Sequence, residues 1–231
     1  MCATIVGMPG REELSILWPQ FGLQIRVEGA RLETPTDEQL DVLARLAGRT
    51  DEILDDDKTH FVMWMEGRTP GEIEQQRTAR VQSNRDLTRR PGWTLDLAVV
   101  VDGEPVGIQC ISGFDQWPRR RIVGTTSWLI KRVQGRGLGT RCRAAVLELA
   151  FQHLGADVAK SWVLQDNHAS IGVSTKLGYR IVSEGPIVEN DRELTEVVYQ
   201  LDAADWLDSP ARRRYAPVIE GTDPVIELLS R

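Results

Sequence analysis

The chain is short of cysteine, of long apolar runs and of excess positive charge, and each shortage removes a class of protein. Its 231 residues hold three cysteines, Cys2, Cys110 and Cys142, at scattered positions with no Cys-x-x-Cys pair. That usage excludes a disulfide framework and a cysteine-based structural zinc, and it fits a reducing, cytoplasmic setting; no metal is expected. The longest uninterrupted apolar run is Leu97–Val101, far below the roughly 20 residues of a membrane-spanning helix. The first residues lack a basic segment followed by an apolar core, so no secretory signal is expected and no membrane partner. Asp plus Glu outnumber Lys plus Arg by 34 to 28, a net charge of −6. Electrostatic binding of nucleic acid needs a basic face, so no nucleic-acid partner is expected. The runs Arg119–Arg121 and Arg212–Arg214 read as solvated surface.

What is present is an ordinary globular composition, 41% apolar and 27% charged, over a length that fits one large domain with appendages. Residues 1–22 read as a leader, 23–203 as the main domain and 204–231 as a C-terminal extension containing Trp206 and three prolines. Ile25–Leu32 alternates weakly and predicts a first strand. Thr36 with Gln39 forms a helix-opening box, followed by Leu40, Leu43 and Leu46 at helical spacing. Residues 50–70 read as irregular, and the polar stretch from Gly71 to about Arg89 as a largely exposed helix.

The central part carries stronger signals. Leu95, Leu97, Val99 and Val101 alternate, predicting a strand with one buried face. Asp102-Gly103 marks a tight hairpin turn, because both central residues of that turn take positive φ. Val106, Ile108 and Cys110 alternate on the return strand, and Ile122–Ile130 reads as a third strand. A helix with Ala144, Leu147, Ala150, Phe151 and Leu154 on one face follows. Val158–Leu164 predicts a strand, Asn167–Leu177 a helix stopped by Gly178, and Tyr179–Ser183 and Thr195–Leu201 two closing strands. The fold class is therefore α/β of the mixed α+β kind, a sheet flanked by helices without the regular alternation of a doubly wound fold.

Between the third strand and its helix lies Lys131-Arg132-Val133-Gln134-Gly135-Arg136-Gly137-Leu138-Gly139-Thr140. A glycine-rich strand-to-helix loop is an anion site, since the first amides of a helix have no internal acceptor and glycine lets backbone approach the anion. Lys131, Arg132 and Arg136 add positive charge. A P-loop would need Gly-Lys followed by Ser or Thr, which is absent. A dinucleotide fingerprint would need Gly-x-Gly-x-x-Gly, and here the third glycine comes one residue early.

Gln134-Gly135-Arg136-Gly137-Leu138-Gly139 instead resembles the Q/R-x-x-G-x-G/A motif of the GNAT superfamily of acyl-CoA N-acyltransferases. A second segment, Asn167-His168-Ala169-Ser170 through Lys176-Leu177-Gly178-Tyr179, resembles the N-x-x-S and K-L-G-F/Y pattern of the RimJ/RimL-like branch. The likeness extends from about Trp93 to Leu201. It implies a central, mostly antiparallel sheet in which two strands splay apart, with acetyl-CoA or succinyl-CoA as acyl donor and an amine-bearing small molecule or protein as acceptor. A homodimer is usual for such proteins. The resemblance places coenzyme A on Trp128, Leu129, Ile130, Gln134, Gly135, Arg136, Gly137, Leu138, Gly139, Thr140, Asn167 and Ser170. The position of the family's catalytic tyrosine corresponds to Ser174, which makes Ser170 and Ser174 the candidate hydrogen-bond donors to the leaving sulfur. The strand Ile122–Ser127 lacks the carboxylate common in relatives, and Asp115 is the nearest candidate base. His60, His153 and His168 read as surface or packing residues. Trp117 and Arg119–Arg121 are expected near the acyl end, and Thr59–Trp64 near the acceptor. A non-catalytic acyl-CoA-binding domain is the alternative.

Overall fold

The computed structural model describes residues 10–62, 64–88, 92–114 and 116–230. Among the described residues nine strands form one sheet: β1 (Gln24–Val27), β2 (Ala30–Glu33), β3 (Trp93–Val101), β4 (Glu104–Gly113), β5 (Ile122–Leu129), β6 (Val158–Leu164), β7 (Arg180–Glu189), β8 (Arg192–Asp202) and β9 (Val218–Glu220). Their spatial order is β7-β8-β6-β5-β4-β3-β2-β1-β9. Every neighbouring pair is antiparallel except β5 and β6, which run parallel. This is the mixed, mostly antiparallel sheet that the resemblance implies.

Helices cover both faces. On one lie α2 (Asp37–Gly48) and α3 (Pro70–Asn84), where Leu40, Leu43 and Val81 pack on Ala98, Val100, Ile108 and Cys110. On the other lies α4 (Leu138–Glu148), whose Ala144–Leu147 are fully buried in the larger core. The strand β3 is thus buried on both faces from Leu95 to Val100, not on one. Its alternation reported only the more apolar face, because Asp96 and Ala98 are small or polar yet also covered. Burying these residues under helices on both sides supplies the main driving force, at about 25 cal/mol per Å² of apolar surface.

Local signals set the element ends. Thr36 Oγ1 accepts from Gln39 N–H at 3.4 Å and Gln39 Oε1 accepts from Thr36 N–H at 3.0 Å, closing the box that opens α2. Asp102 and Gly103 take φ of 50° and 86° in the β3–β4 turn, as the sequence predicts. The helix α5 (His168–Lys176) starts at its cap Asn167, whose Oδ1 accepts from Ser170 N–H at 3.1 Å, and ends before Gly178 at φ 89°.

Three expectations change. The single strand over Ile25–Leu32 is a hairpin, because Gly29 at φ 78° turns the chain and pairs Val27 with Ala30. The polar segment after Gly71 is helical but not merely exposed, since Ile73, Arg77 and Val81 are buried at four-residue spacing. The C-terminal residues are built into the sheet: β9 pairs with β1, and Trp206, Val225 and Leu229 are buried in the common core. Trp206 Nε1–H donates to Glu148 at 2.9 Å, and Arg212 reaches the same carboxylate at 2.8 Å.

A close backbone approach beside the site is at Gly107, opposite Leu129. A Cβ there would collide with the carbonyl oxygen of Trp128 and lie 2.8 Å from Leu129 Cα. Backbone on both sides leaves nothing flexible to move. Gly107→Ala is expected to destabilise the protein by about 2 kcal/mol or more, read as a lower urea midpoint; an unchanged midpoint would contradict this packing.

Candidate acyl-donor site

The strands β5 and β6 pair only from Ile122–Gly124 to Val158–Lys160 and then diverge. On its other edge β5 stays paired to β4 as far as Leu129. The edge of β5 from Thr125 onward therefore faces an opening within the sheet. This opening is a cleft of about 510 Å³ lined by Thr125–Leu129, by Gln134, Gly135 and Gly137–Thr140 of the loop, and by Asn167–Ser170. A segment before α3 roofs it with Ile53, Leu54, Phe61 and Val62.

The loop has the geometry of an anion cradle. Gly135 and Gly137 take φ of 73° and 76°, and Gly137 is the cap of α4. The first backbone bond of that helix runs from Arg141 N–H to Gly137 O at 3.1 Å. The amides of Leu138, Gly139 and Thr140 consequently have no acceptor within the helix and present their N–H groups, with the positive end of the helix dipole, at the mouth of the cleft.

The charges are arranged differently from the sequence expectation. Lys131 Nζ is paired with Asp55 at 2.6 Å and Arg132 with Glu104 at 2.8 Å, so neither is a free cation for a ligand. Arg136 does not line the cleft but an adjoining hollow, with Arg141, Lys176 and, from the C-terminal segment, Arg214 and Tyr215. Gly137, Thr140 and Lys176 line both spaces, which places a cationic shelf beside the free amides.

Gln134 acts as a brace. Its Nε2–H groups donate to Leu129 O at 2.6 Å and Ile53 O at 2.9 Å, tying the strand end, the loop and the roof together. On the other side of the roof, His60 Nε2 and Asp166 Oδ2 lie 3.0 Å apart, so this histidine joins the roof to the start of α5.

Of the residues expected to act on the sulfur, Ser170 lines the cleft. Ser174 is fully buried outside it, 3.4 Å from Arg143 Nη1. It is a packing residue and not a cleft donor: it lies one helical turn beyond Ser170 on nearly the same face, where its hydroxyl is fully buried against Arg143. Ile130 is also buried and off the cleft surface. Asp115 lies outside the described residues. Among the described residues that line the cleft there is no Asp or Glu, and its titratable members are Arg143, His168 and Lys176. Arg143 was missed by sequence reasoning. It is buried with hydroxyl partners only, Ser161 at 3.3 Å and Ser174 at 3.4 Å, and burial lowers its pKa. The signal was an arginine inside the apolar run that follows Cys142.

Trp117 and Arg119–Arg121 are not at the acyl end. Trp117 is core, its Nε1–H donating to Leu229 O at 2.8 Å and its ring edge-on to Trp93. The arginines precede Ile122, at the end of β5 opposite the cleft. Among the described residues no group of three or more His, Cys, Asp or Glu could hold a metal ion, and no helix is long and apolar enough to cross a membrane.

Residues 31–180 match the acetyltransferase (GNAT) domain family. The chain belongs to the GNAT family. Its fold is also that of solved GNAT-type structures. It is similar to Mycobacterium smegmatis RimJ in complex with CoA-disulfide (18% identity, 84% of this chain and 92% of that one, TM-score 0.67). It is similar to the Microcin C7 self immunity acetyltransferase MccE in complex with acetyl-CoA and AMP (13%, 76% and 93%, TM-score 0.61). A third is the ribosomal-protein-S5-alanine acetyltransferase from Vibrio fischeri (15%, 79% and 98%, TM-score 0.59). At these identities the likeness is one of fold. Within the GNAT fold the splay of β5 from β6 is the feature that makes a binding site out of a sheet.

The Lys131–Asp55 pair that pins the roof gives a pH prediction. Lys131 and then Lys58, as hydrogen-bond donors, hold the Asp55 carboxyl down at about 2. A depressed carboxylate favours the native state above its unfolded pKa, and that contribution is lost as pH falls through the folded value. An NMR titration of Asp55 should therefore show a midpoint near 2. The midpoint should rise toward the ordinary carboxylate range in Lys131→Met, and a wild-type midpoint near 4 would show that the roof is not pinned this way.

Proposed function

We propose that the protein transfers an acyl group from a coenzyme A thioester to a primary amine. The observation that carries this is the row of acceptor-less amides at Leu138–Thr140, set at the mouth of a cleft between splayed strands. A cleft of about 510 Å³, polar at its mouth and open along a strand edge, suits a slender arm ending in a pyrophosphate. Its fit to coenzyme A is also supported by the RimJ and MccE structures, which hold CoA-disulfide and acetyl-CoA.

In this reading the amides of the loop bind the pyrophosphate, and the cationic shelf of Arg136, Arg141, Lys176 and Arg214 takes the phosphorylated nucleotide. The free edge of β5 from Thr125 to Leu129 holds the pantetheine arm by backbone hydrogen bonds, as an added strand would. Asn167 keeps the start of α5 against that arm. The thioester supplies an acyl carbon whose oxygen gains charge when attacked, and a β5 backbone N–H is placed to stabilise it. Transfer forms the amine N–C bond and breaks the C–S bond. The sulfur leaves with the bonding pair as thiolate, which stays ionised or takes a proton from Ser170 or water, and the proton lost by the ammonium goes to solvent or to a base. A thiolate is a tolerable leaving group unaided, since thiol pKa values lie near 8.5, so replacing the family's tyrosine is not prohibitive. Asp115 stays a candidate base on sequence grounds, and acetyl and succinyl both stay open as the acyl group.

A second reading, an acyl-CoA-binding domain without turnover, is favoured by the absence of a carboxylate among the described residues of the cleft. Release of free thiol from acetyl-CoA or succinyl-CoA across a panel of primary amines separates the two. Acceptor-dependent release supports transfer, and binding without release supports the second reading.

Gly137→Val tests the cradle. A β-branched residue at φ 76° is strained and crowds the amides. Calorimetric titration should show acetyl-CoA affinity at least tenfold weaker than in the wild type, with a native circular dichroism spectrum. Equal affinity would remove the pyrophosphate assignment.

A further inference from the structure

Behind β5, on the face covered by α3, lies a second, small and partly open chamber of about 50 Å³. The strand register builds it. Asp96 pairs with Cys110 and Cys110 with Thr126, so these three side chains form a row on that face. Trp128 stands in the next row, opposite Ile108. The row is closed from above by Trp64 and by Arg77 and Arg80 of α3.

Arg77 is 7% exposed. Its guanidinium lies over the Trp64 ring, 4.4 Å from the centroid. Stacking satisfies the face of the group but none of its N–H donors, which point outward in its plane. Those donors have no hydrogen-bond acceptor and no ion pair among the described residues, and Nε is fully buried. Burial pulls the Arg77 pKa down to about 10, with Arg80 adding repulsion and Asp96 opposing both. Asp96 does not serve as its partner. Its two oxygens already accept from Asn84 Nδ2 at 2.7 Å and from Cys110 Sγ at 2.7 Å. Burial keeps the Cys110 thiol protonated. Among the described residues the titratable groups of the chamber are therefore two guanidiniums, one committed carboxylate and a neutral thiol, which leaves one positive charge without a counter-ion among them. A buried cation in that state is unfavourable unless something else neutralises it.

The chamber and the acyl-donor cleft share Thr126, Ser127 and Trp128. The two spaces thus meet at Thr126–Trp128, on the stretch of β5 that the reading above gives to the pantetheine arm and its thioester. The chamber has room for about four water-sized groups, enough for a carboxylate and one methylene but not for a ring. An acetyl methyl would stop at the shared wall. A chain longer by one methylene and ending in a carboxylate, as in succinyl, would bring that carboxylate to the Arg77 donors. Arg143, the other buried guanidinium without a carboxylate, already donates to two serines on the α4 side.

We propose that this chamber is a carboxylate subsite for the acyl donor, with Arg77 as its recognising cation, so that the preferred donor is a dicarboxylic acyl thioester of succinyl size. The inference rests on the acyl-transfer reading. The test is calorimetric titration of the full chain with succinyl-CoA and with acetyl-CoA, without acceptor. Succinyl-CoA should bind at least tenfold more tightly, and the ratio should collapse toward one in Arg77→Met while Arg77→Lys retains part of it. Circular dichroism and thermal unfolding check that both variants are folded. Equal wild-type affinities, or a preference that survives in Arg77→Met, would overturn the subsite. If the wild-type affinities are equal but carboxylate-bearing amines are preferred as acceptors in an Arg77-dependent way, the carboxylate comes from the acceptor and the donor assignment fails. Failure of both thioesters to bind would sink the acyl-transfer reading and this inference together.

Discussion

The parting of two hydrogen-bonded strands is the constraint on which the rest of this molecule depends. After three paired residues β5 and β6 separate, and one edge of β5 is left without a strand partner inside a sheet. Unpaired backbone donors and acceptors in a protein interior are unfavourable, so the opening is tolerated only because it is open to solvent or ligand. Everything around the cleft is arranged about that edge. Gly107 lets β4 approach the end of β5 closely, Gln134 ties that end to the loop and the roof, and the glycines of the loop turn the chain straight into α4.

The same strand has different work on its two faces. Its register gives Thr125, Ser127 and Leu129 to one side and Thr126 and Trp128 to the other. Each side meets a buried arginine without a carboxylate partner among the described residues, Arg143 from α4 and Arg77 from α3. Arg143 has serine hydroxyls to donate to; Arg77 has only an aromatic face. A largely buried cation without a counter-charge is costly to fold around.

Much of this was legible in the residues because it is local. The Asp102-Gly103 turn, the Thr36 cap, the Gly135–Gly139 loop and the Asn167 cap each follow from backbone requirements of a few neighbouring residues. What was not legible depends on partners distant in the chain. The β1–β2 hairpin has strands of four residues, too short for alternation to show. Burial of β3 on both faces depends on α3, which looks like a solvent-facing helix unless Ile73, Arg77 and Val81 are read as one stripe with a charge in it. Ser174 has the right place in a motif but is fully buried against Arg143, one turn of helix beyond the cleft-lining Ser170. The neutralisation of Lys131 and Arg132 by Asp55 and Glu104 needs contacts that no spacing rule reveals.

In the proposed function the loop amides and the free edge of β5 form one continuous ligand surface. Amide-resolved NMR of the full chain during addition of coenzyme A reads that surface residue by residue. Large shifts are expected at Leu138, Gly139 and Thr140 together with Thr126–Leu129, and little change on β1, β2 and β9. Shifts confined to other parts of the chain, or none at saturating ligand, would contradict that reading.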